Sequence, residues 1–239
     1  MDDRKRRKPA GGRAKRRGAE SPKGDLLVRT ERETWDGSRP PATDPSARSA
    51  PPPARKIVRL NFDWLTERLA VGGTFTRESV EVLAGAHHIS RIIDLRGEDC
   101  DDELHLSRHG IRLLHLPTED CCAVPPESLA RGVAWARSAL RAHHRVLIHC
   151  QHGIGRSALL ALCVLVDTGL SPLAAMTLAK DARAVVSPSP DQLRAFLAFA
   201  EERAAGKAWT MPSFDELAAI AYRHLAWKAG ALGTGTAGG

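Results

Sequence analysis

The run Val146-Leu147-Ile148 leads through His149-Cys150-Gln151-His152-Gly153-Ile154-Gly155-Arg156-Ser157 into a helix-like stretch that begins at Ala158. Three consecutive aliphatic residues read as a buried strand, so the chain passes from strand to helix through a short loop that contains two glycines. That unit belongs in a sheet of mostly parallel strands, because a parallel strand must be followed by a crossover, usually a helix. In such sheets ligands bind beyond the carboxyl ends of the strands. Cys150 stands at one of those ends.

The rest of the chain repeats the alternation. Ile57 to Leu60 and Arg68 to Gly73 read as short strands, Thr76 to His87 as a helix with Val80, Leu83 and Ala84 on one face, and Arg91 to Leu95 and Ile111 to Leu116 as further strands. After the helix-starting pair Pro125-Pro126, Glu127 to His143 places Leu129, Val133, Trp135, Ala136 and Leu140 mostly on one side. Helices over 157–168, 172–183 and 190–204 complete the pattern. The expectation is an α/β fold whose mostly parallel central sheet is flanked by helices on both faces. No internal repeat occurs at any period.

Charge divides the 239 residues. Residues 1–23 hold ten Lys plus Arg against three Asp plus Glu, which leaves 25 of each sign in the remainder. The basic balance therefore belongs to an N-terminal arm and is no argument for a nucleic-acid-binding globular domain. Residues 1–55 carry two basic clusters and a Pro/Ala/Ser run ending in Pro51-Pro52-Pro53, with too few apolar positions to offset the entropy of ordering, so they are expected to be disordered. The arm reads as a solvated tail, with a weak anionic partner as the alternative. Ser213-Phe214-Asp215-Glu216 is a capping box, and Phe214, Leu217, Ala218, Ala221 and Leu225 form a stripe on one additional helix. The organisation expected is an arm over 1–55, a catalytic domain over 56–206, the additional helix within 207–229 and a glycine-rich flexible tail over 230–239. No run of eighteen apolar residues exists, so no membrane span is expected, and five cysteines without an export signal point to a reducing, cytoplasmic compartment.

The loop before Ala158 has its own chemistry. A loop feeding a helix N-terminus presents unpaired N–H groups and the positive end of the helix dipole, a setting that binds a tetrahedral oxyanion. The same field lowers a thiol pKa, which makes Cys150 a thiolate nucleophile near neutral pH. Arg156 supplies a planar guanidinium for two equatorial phosphate oxygens. Gly153 and Gly155 permit the backbone conformations that turn N–H groups inward, and Gln151, His152 and Ile154 complete the phosphate-binding loop. Ser157 either donates its hydroxyl to the Cys150 sulfur or caps the following helix. His149 orders the loop.

His149-Cys150, five residues, then Arg156-Ser157 resembles the signature of the cysteine-dependent phosphatases, and the chain is similar to their dual-specificity family. Arg68-Leu69-Ala70-Val71-Gly72-Gly73 and Ile92-Ile93-Asp94-Leu95-Arg96 resemble two of its early strands, and Gln192-Leu193 resembles its last catalytic-domain helix. Leu116-Pro117-Thr118-Glu119-Asp120 resembles its general-acid loop, thirty positions before the cysteine. The resemblance covers roughly residues 57–205 and implies a metal-free hydrolysis of phosphomonoesters, needing no cofactor, through a phosphocysteine intermediate. It implies Asp120 as the general acid, with Glu119 as the neighbouring alternative, and phosphorylated proteins as substrates on Tyr and Ser/Thr alike. Two departures stand out. The Pro-Asn pair usual before the last helix reads Ser187-Pro188-Ser189-Pro190, and Cys121-Cys122 follow the acid. These two cysteines either pack or trap Cys150 as a disulfide under oxidant.

Other roles stay open on the residues alone. Asp94 is expected to hold neighbouring loops, and Gln192 either lies near the second-step water or is a solvated helix residue. The pairs His87-His88 and His143-His144 do not make a tetrahedral metal set with the cysteines. Phosphoinositides, phosphoglucans and RNA 5′ phosphates compete with phosphoprotein as substrate. A rhodanese-type sulfurtransferase is the rival enzyme, against which the five-residue spacing argues, and a non-catalytic phospho-binding module is the third class. The sequence leaves the oligomeric state undefined.

Overall fold

The structure, a computed structural model, describes residues 60–225; the expected arm over 1–55, most of the strand expected from Ile57 and the expected tail over 230–239 lie outside these residues. Five strands, β1 (Phe62–Trp64), β2 (Leu69–Gly72), β3 (Ile89–Arg96), β4 (Arg112–Thr118) and β5 (Arg145–His149), form one sheet in the order β1-β2-β5-β3-β4. β1 pairs antiparallel with β2, and the other three pairings are parallel.

The aliphatic runs serve both faces of the sheet, as parallel strands require. Ile93, Leu95, Val146 and Ile148 point into one core, and Ile92 and Leu147 into the other. The first face is covered by α3 (Pro126–Arg141), α4 (Arg156–Asp167), α5 (Pro172–Ala182) and α6 (Pro190–Arg203). The opposite face is covered by α1 (Val80–Gly85) and α2 (Glu103–Arg108), through Val80, Leu83 and Leu106. α4 packs against α3, α5 and α6 and is buried from Arg156 to Val166. Each fully buried Leu or Val there contributes about 1.5–3 kcal/mol. The helix that carries Arg156 is therefore the most enclosed helix of the domain, a rigid base for the loop before it. An additional helix, α7 (Phe214–Ala221), packs on α5 and α6.

The expected α/β architecture is present, with four local differences. A strand at Phe62–Trp64 was not anticipated; it forms because the chain there lies beside Ala70 to Gly72 and pairs with them. The helix expected over Thr76 to His87 splits into a 3-10 turn at Arg77–Ser79 followed by α1. α2 was not anticipated either; it is six residues long and starts where the Asp102 side chain accepts from His105 N. α7 ends at Ala221, the chain turns at Tyr222 and is helical again over 223–225, and Leu225, last of the expected stripe, is exposed. No helix among the described residues is long and apolar enough to cross a membrane.

Candidate active site

β5 ends at His149 and α4 begins at Arg156, so residues 150–155 form a loop at the carboxyl edge of the central strand. Gly153 adopts φ +73°, and a Cβ there would lie 2.4 Å from the Gly72 carbonyl carbon. Any side chain at 153 is therefore excluded twice, by conformation and by space. Gly155 differs from expectation: its φ is −114°, open to other residues, and what restricts it is the Gln192 side chain, 2.5 Å from a Cβ placed there. From outside, Arg183 turns two loop carbonyls away from the centre, donating from Nε to Gly153 O at 2.9 Å and from Nη2 to His152 O at 3.0 Å. Asp63 and Asn61 hold the rest of the Arg183 guanidinium.

With carbonyls facing out, N–H groups face in. Gly153 N donates to Cys150 Sγ at 3.4 Å, and Ser157 Oγ lies 3.3 Å from the same sulfur. Burial alone pushes the Cys150 thiol up. Hydrogen bonds from the Ser157 hydroxyl and from the N–H groups of Ser157, Gly153 and His152 outweigh it and hold the thiol below its ordinary value. A thiolate is thus present at lower pH than in a free cysteine. Ser157 Oγ also lies 3.4 Å from Gly72 O, and the residue at the cap of α4 is Gly155, so of its two expected roles Ser157 shows the contact to sulfur. Ser157→Ala removes one donor to a charged group. It should cost about tenfold in kcat/KM on the acidic side of the pH profile and less on the alkaline side, where the thiol ionises without help; rates across pH check this.

Arg156 is buried at the start of α4. Glu98 grips it with both oxygens, at 2.7 Å from Nη1 and 2.8 Å from Nη2, and Thr118 O accepts from Nη1 at 2.8 Å. Asp120 Oδ1 is 2.9 Å from Nη2. The guanidinium pulls the Glu98 carboxyl down to about 2. Nε of Arg156 is buried and has no acceptor among the described residues, so one donor is left without a partner. Asp120 itself is exposed, on a loop attached to α6: Ser189 Oγ donates to Cys121 O at 3.1 Å and Gln192 Nε2 to Cys122 O at 2.8 Å. Cys121, at φ +61°, makes the sharp bend after the acid.

Behind the loop lies a buried charge network. Arg96 donates to both oxygens of Asp94 and also to Asp99 and Asp101, and Asp101 Oδ2 is 2.8 Å from His149 Nε2. Burial pushes Asp94 up, and Arg96 and His149 more than offset it, leaving the carboxyl below its ordinary value. Asp94 thus holds neighbouring loops as expected, through Arg96, and the network fixes the ring of His149, the residue preceding Cys150. Two sets of three donor residues come close together among the described residues, Asp94 with Cys100 and His115, and Asp94 with Asp101 and His149. Both depend on Asp94, whose oxygens Arg96 already occupies.

A pocket of about 220 Å³ opens over this loop. Of the residues anticipated from the sequence, Cys150, Arg156, Asp120, His152, Ile154 and Gly155 line it, whereas Gln151, Gly153 and Ser157 do not. Gln192 is buried and lines the pocket as well, which removes the solvated-helix alternative. Glu119 is exposed and does not line the pocket. Cys121 and Cys122 are both exposed, so core packing does not account for them. Glu98 and Arg183 were missed. Both act across long stretches of chain, and the one available signal was the presence of single charges next to a turn.

Fold and site together define a protein with a buried cysteine at the end of a parallel strand, inside a loop whose N–H groups turn toward the sulfur and whose far end carries a buried arginine. Residues 74–202 match the family described as dual specificity phosphatase, catalytic domain, and the chain belongs to that family. Among solved structures, Tk-PTP in its active form is 24% identical over 60% of this chain and 97% of its own, with a TM-score of 0.55. PTPMT1 in complex with PI(5)P is 21% identical over 62% of this chain and 99% of its own, with a TM-score of 0.58. Human DUSP28 is 20% identical over 61% and 96%, with a TM-score of 0.51. Comparison with curated protein sequences gave no match.

Proposed function

We propose that the chain is a phosphomonoester hydrolase that removes phosphate from phosphotyrosine and phosphoserine or phosphothreonine in proteins through a phosphocysteine intermediate. The observation that carries the reading is the Cys150 thiol, held down by inward N–H groups, beside a buried Arg156 with an unused Nε donor. The Cys150 thiolate attacks phosphorus while the P–O bond to the leaving group breaks, and Asp120 gives its proton to that oxygen. Water then attacks the phosphocysteine, Asp120 takes the proton from it, and the Ser157 hydroxyl stabilises the departing sulfur. Gln192, at the pocket wall, is in reach of that water.

Support for a protein substrate comes from charge. Arg156 is the one Arg or Lys lining the pocket among the described residues, and two carboxylates already face it. One phosphoryl group finds a partner there, and a second on the same headgroup finds none. A lipid monophosphate is the competing reading, favoured by the match to a protein solved with PI(5)P. Turnover of phosphotyrosine and phosphothreonine peptides beside PI(5)P in mixed vesicles decides between them; faster release from the vesicles rejects the protein reading. Asp120→Asn should lower kcat on peptides by at least about a hundredfold.

A further inference from the structure

The segment joining α5 to α6 lies between the two loops that the reaction needs. Ser187 N donates to Ile154 O of the nucleophile loop at 3.0 Å. Two residues on, Ser189 Oγ holds Cys121 O of the acid loop, and Ser189 opens α6, which adds the Gln192 bond to Cys122 O. The placement of residues 187–189 therefore sets how far Asp120 stands from the cup. Yet this segment has little backbone support of its own, because Pro188 and Pro190 have no N–H to donate. Its carbonyls must be tied by side chains from elsewhere.

Those ties come from α5 and from the residues around α7. Lys180 Nζ donates to Val186 O at 2.7 Å, Ser187 Oγ donates to Ala221 O at 3.3 Å, and the hydroxyl of Tyr222 donates to Pro188 O at 2.6 Å. Leu217 and Ala221 are fully buried, which anchors the helix that leads to Tyr222. That helix and Tyr222 lie beyond residue 202, where the family match ends.

We propose that Tyr222 is a positioning residue of the active site: by fixing Pro188 O it holds the 187–189 segment, and through it keeps the acid loop at its working distance from Cys150. The proposal rests on the hydrolase reading above. Tyr222 does not touch substrate; its effect passes through Asp120. Proton donation matters most for a poor leaving group, so the consequence depends on which ester is cleaved.

The test compares Tyr222→Phe with the unaltered full-length protein on a phosphothreonine peptide and on an aryl phosphate with an acidic phenol. The expected result is a three- to tenfold fall in kcat on the peptide, about the worth of one hydrogen bond, with KM unchanged and little loss on the aryl ester. In an Asp120→Asn background the same substitution should have no further effect. Equal losses on both esters, no loss on either, or an undiminished loss without Asp120 overturns the proposal, leaving α7 as a cover for the core. Should Tyr222→Phe be unfolded by circular dichroism, Tyr222→Leu takes its place, since it too loses the bond to Pro188 O. The same pattern of losses then supports or overturns the proposal. If the unaltered protein shows no Cys150-dependent turnover, the hydrolase reading fails and this proposal with it; intact turnover with equal losses rejects the proposal alone.

Discussion

Cys150→Ser is expected to lower turnover by about four orders of magnitude or more, the scale on which loss of a catalytic nucleophile is felt. The geometry explains the size. Three kinds of donor, a hydroxyl, an inward amide and the end of α4, are gathered on one sulfur, and together they stabilise an anion that a serine hydroxyl cannot form at neutral pH. The shape of the cup is held from elsewhere, by Arg183 on the carbonyls of Gly153 and His152 and by Glu98 and Thr118 O on Arg156, so the swap should leave it in place. A phosphopeptide should therefore bind the variant with an affinity close to its KM for the unaltered protein, and isothermal titration measures it. Comparable turnover in Cys150→Ser would falsify the phosphocysteine mechanism.

Arg156→Lys, which preserves charge, should lower kcat/KM by roughly a hundred- to a thousandfold, similar to the loss of an oxyanion donor elsewhere. Under the proposed chemistry Arg156 has two tasks: Nη1 and Nη2 face Glu98, and Nε, which has no acceptor among the described residues, remains for phosphate. A lysine ends in one ammonium and cannot grip Glu98 while presenting a second edge to the ester. If Glu98 captures the ammonium, the oxyanion meets bare amides only. Inhibition by orthovanadate should weaken in parallel, and a variant that keeps its vanadate affinity would show that the guanidinium fork is not what recognises the oxyanion.

How much of this could be read beforehand follows from where the information lies. The loop from Cys150 to Gly155 was legible because strand, glycines, cysteine and arginine are contiguous, and each has a local physical reason. The sheet was legible because runs such as Arg91 to Leu95 are aliphatic on both faces. Glu98 and Arg183 were not, since Arg183 reaches Asp63 across 120 positions, a contact made only by the fold. α2 escaped because six residues give too little periodicity, and its one signal, an aspartate cap, is common in turns. At Gly155 the expected backbone freedom is not what the fold requires: its constraint is a neighbour's side chain, invisible in a linear pattern.

The two carboxylates resting on Arg156 bear on the end of the catalytic cycle. Under the proposed chemistry, a departing inorganic phosphate leaves behind a buried cation, and an enclosed cation with no counter-ion is costly. Glu98 and Asp120 both lie on the guanidinium in this structure, so a vacated Arg156 would be neutralised from within the chain. Product escape would then have an internal competitor.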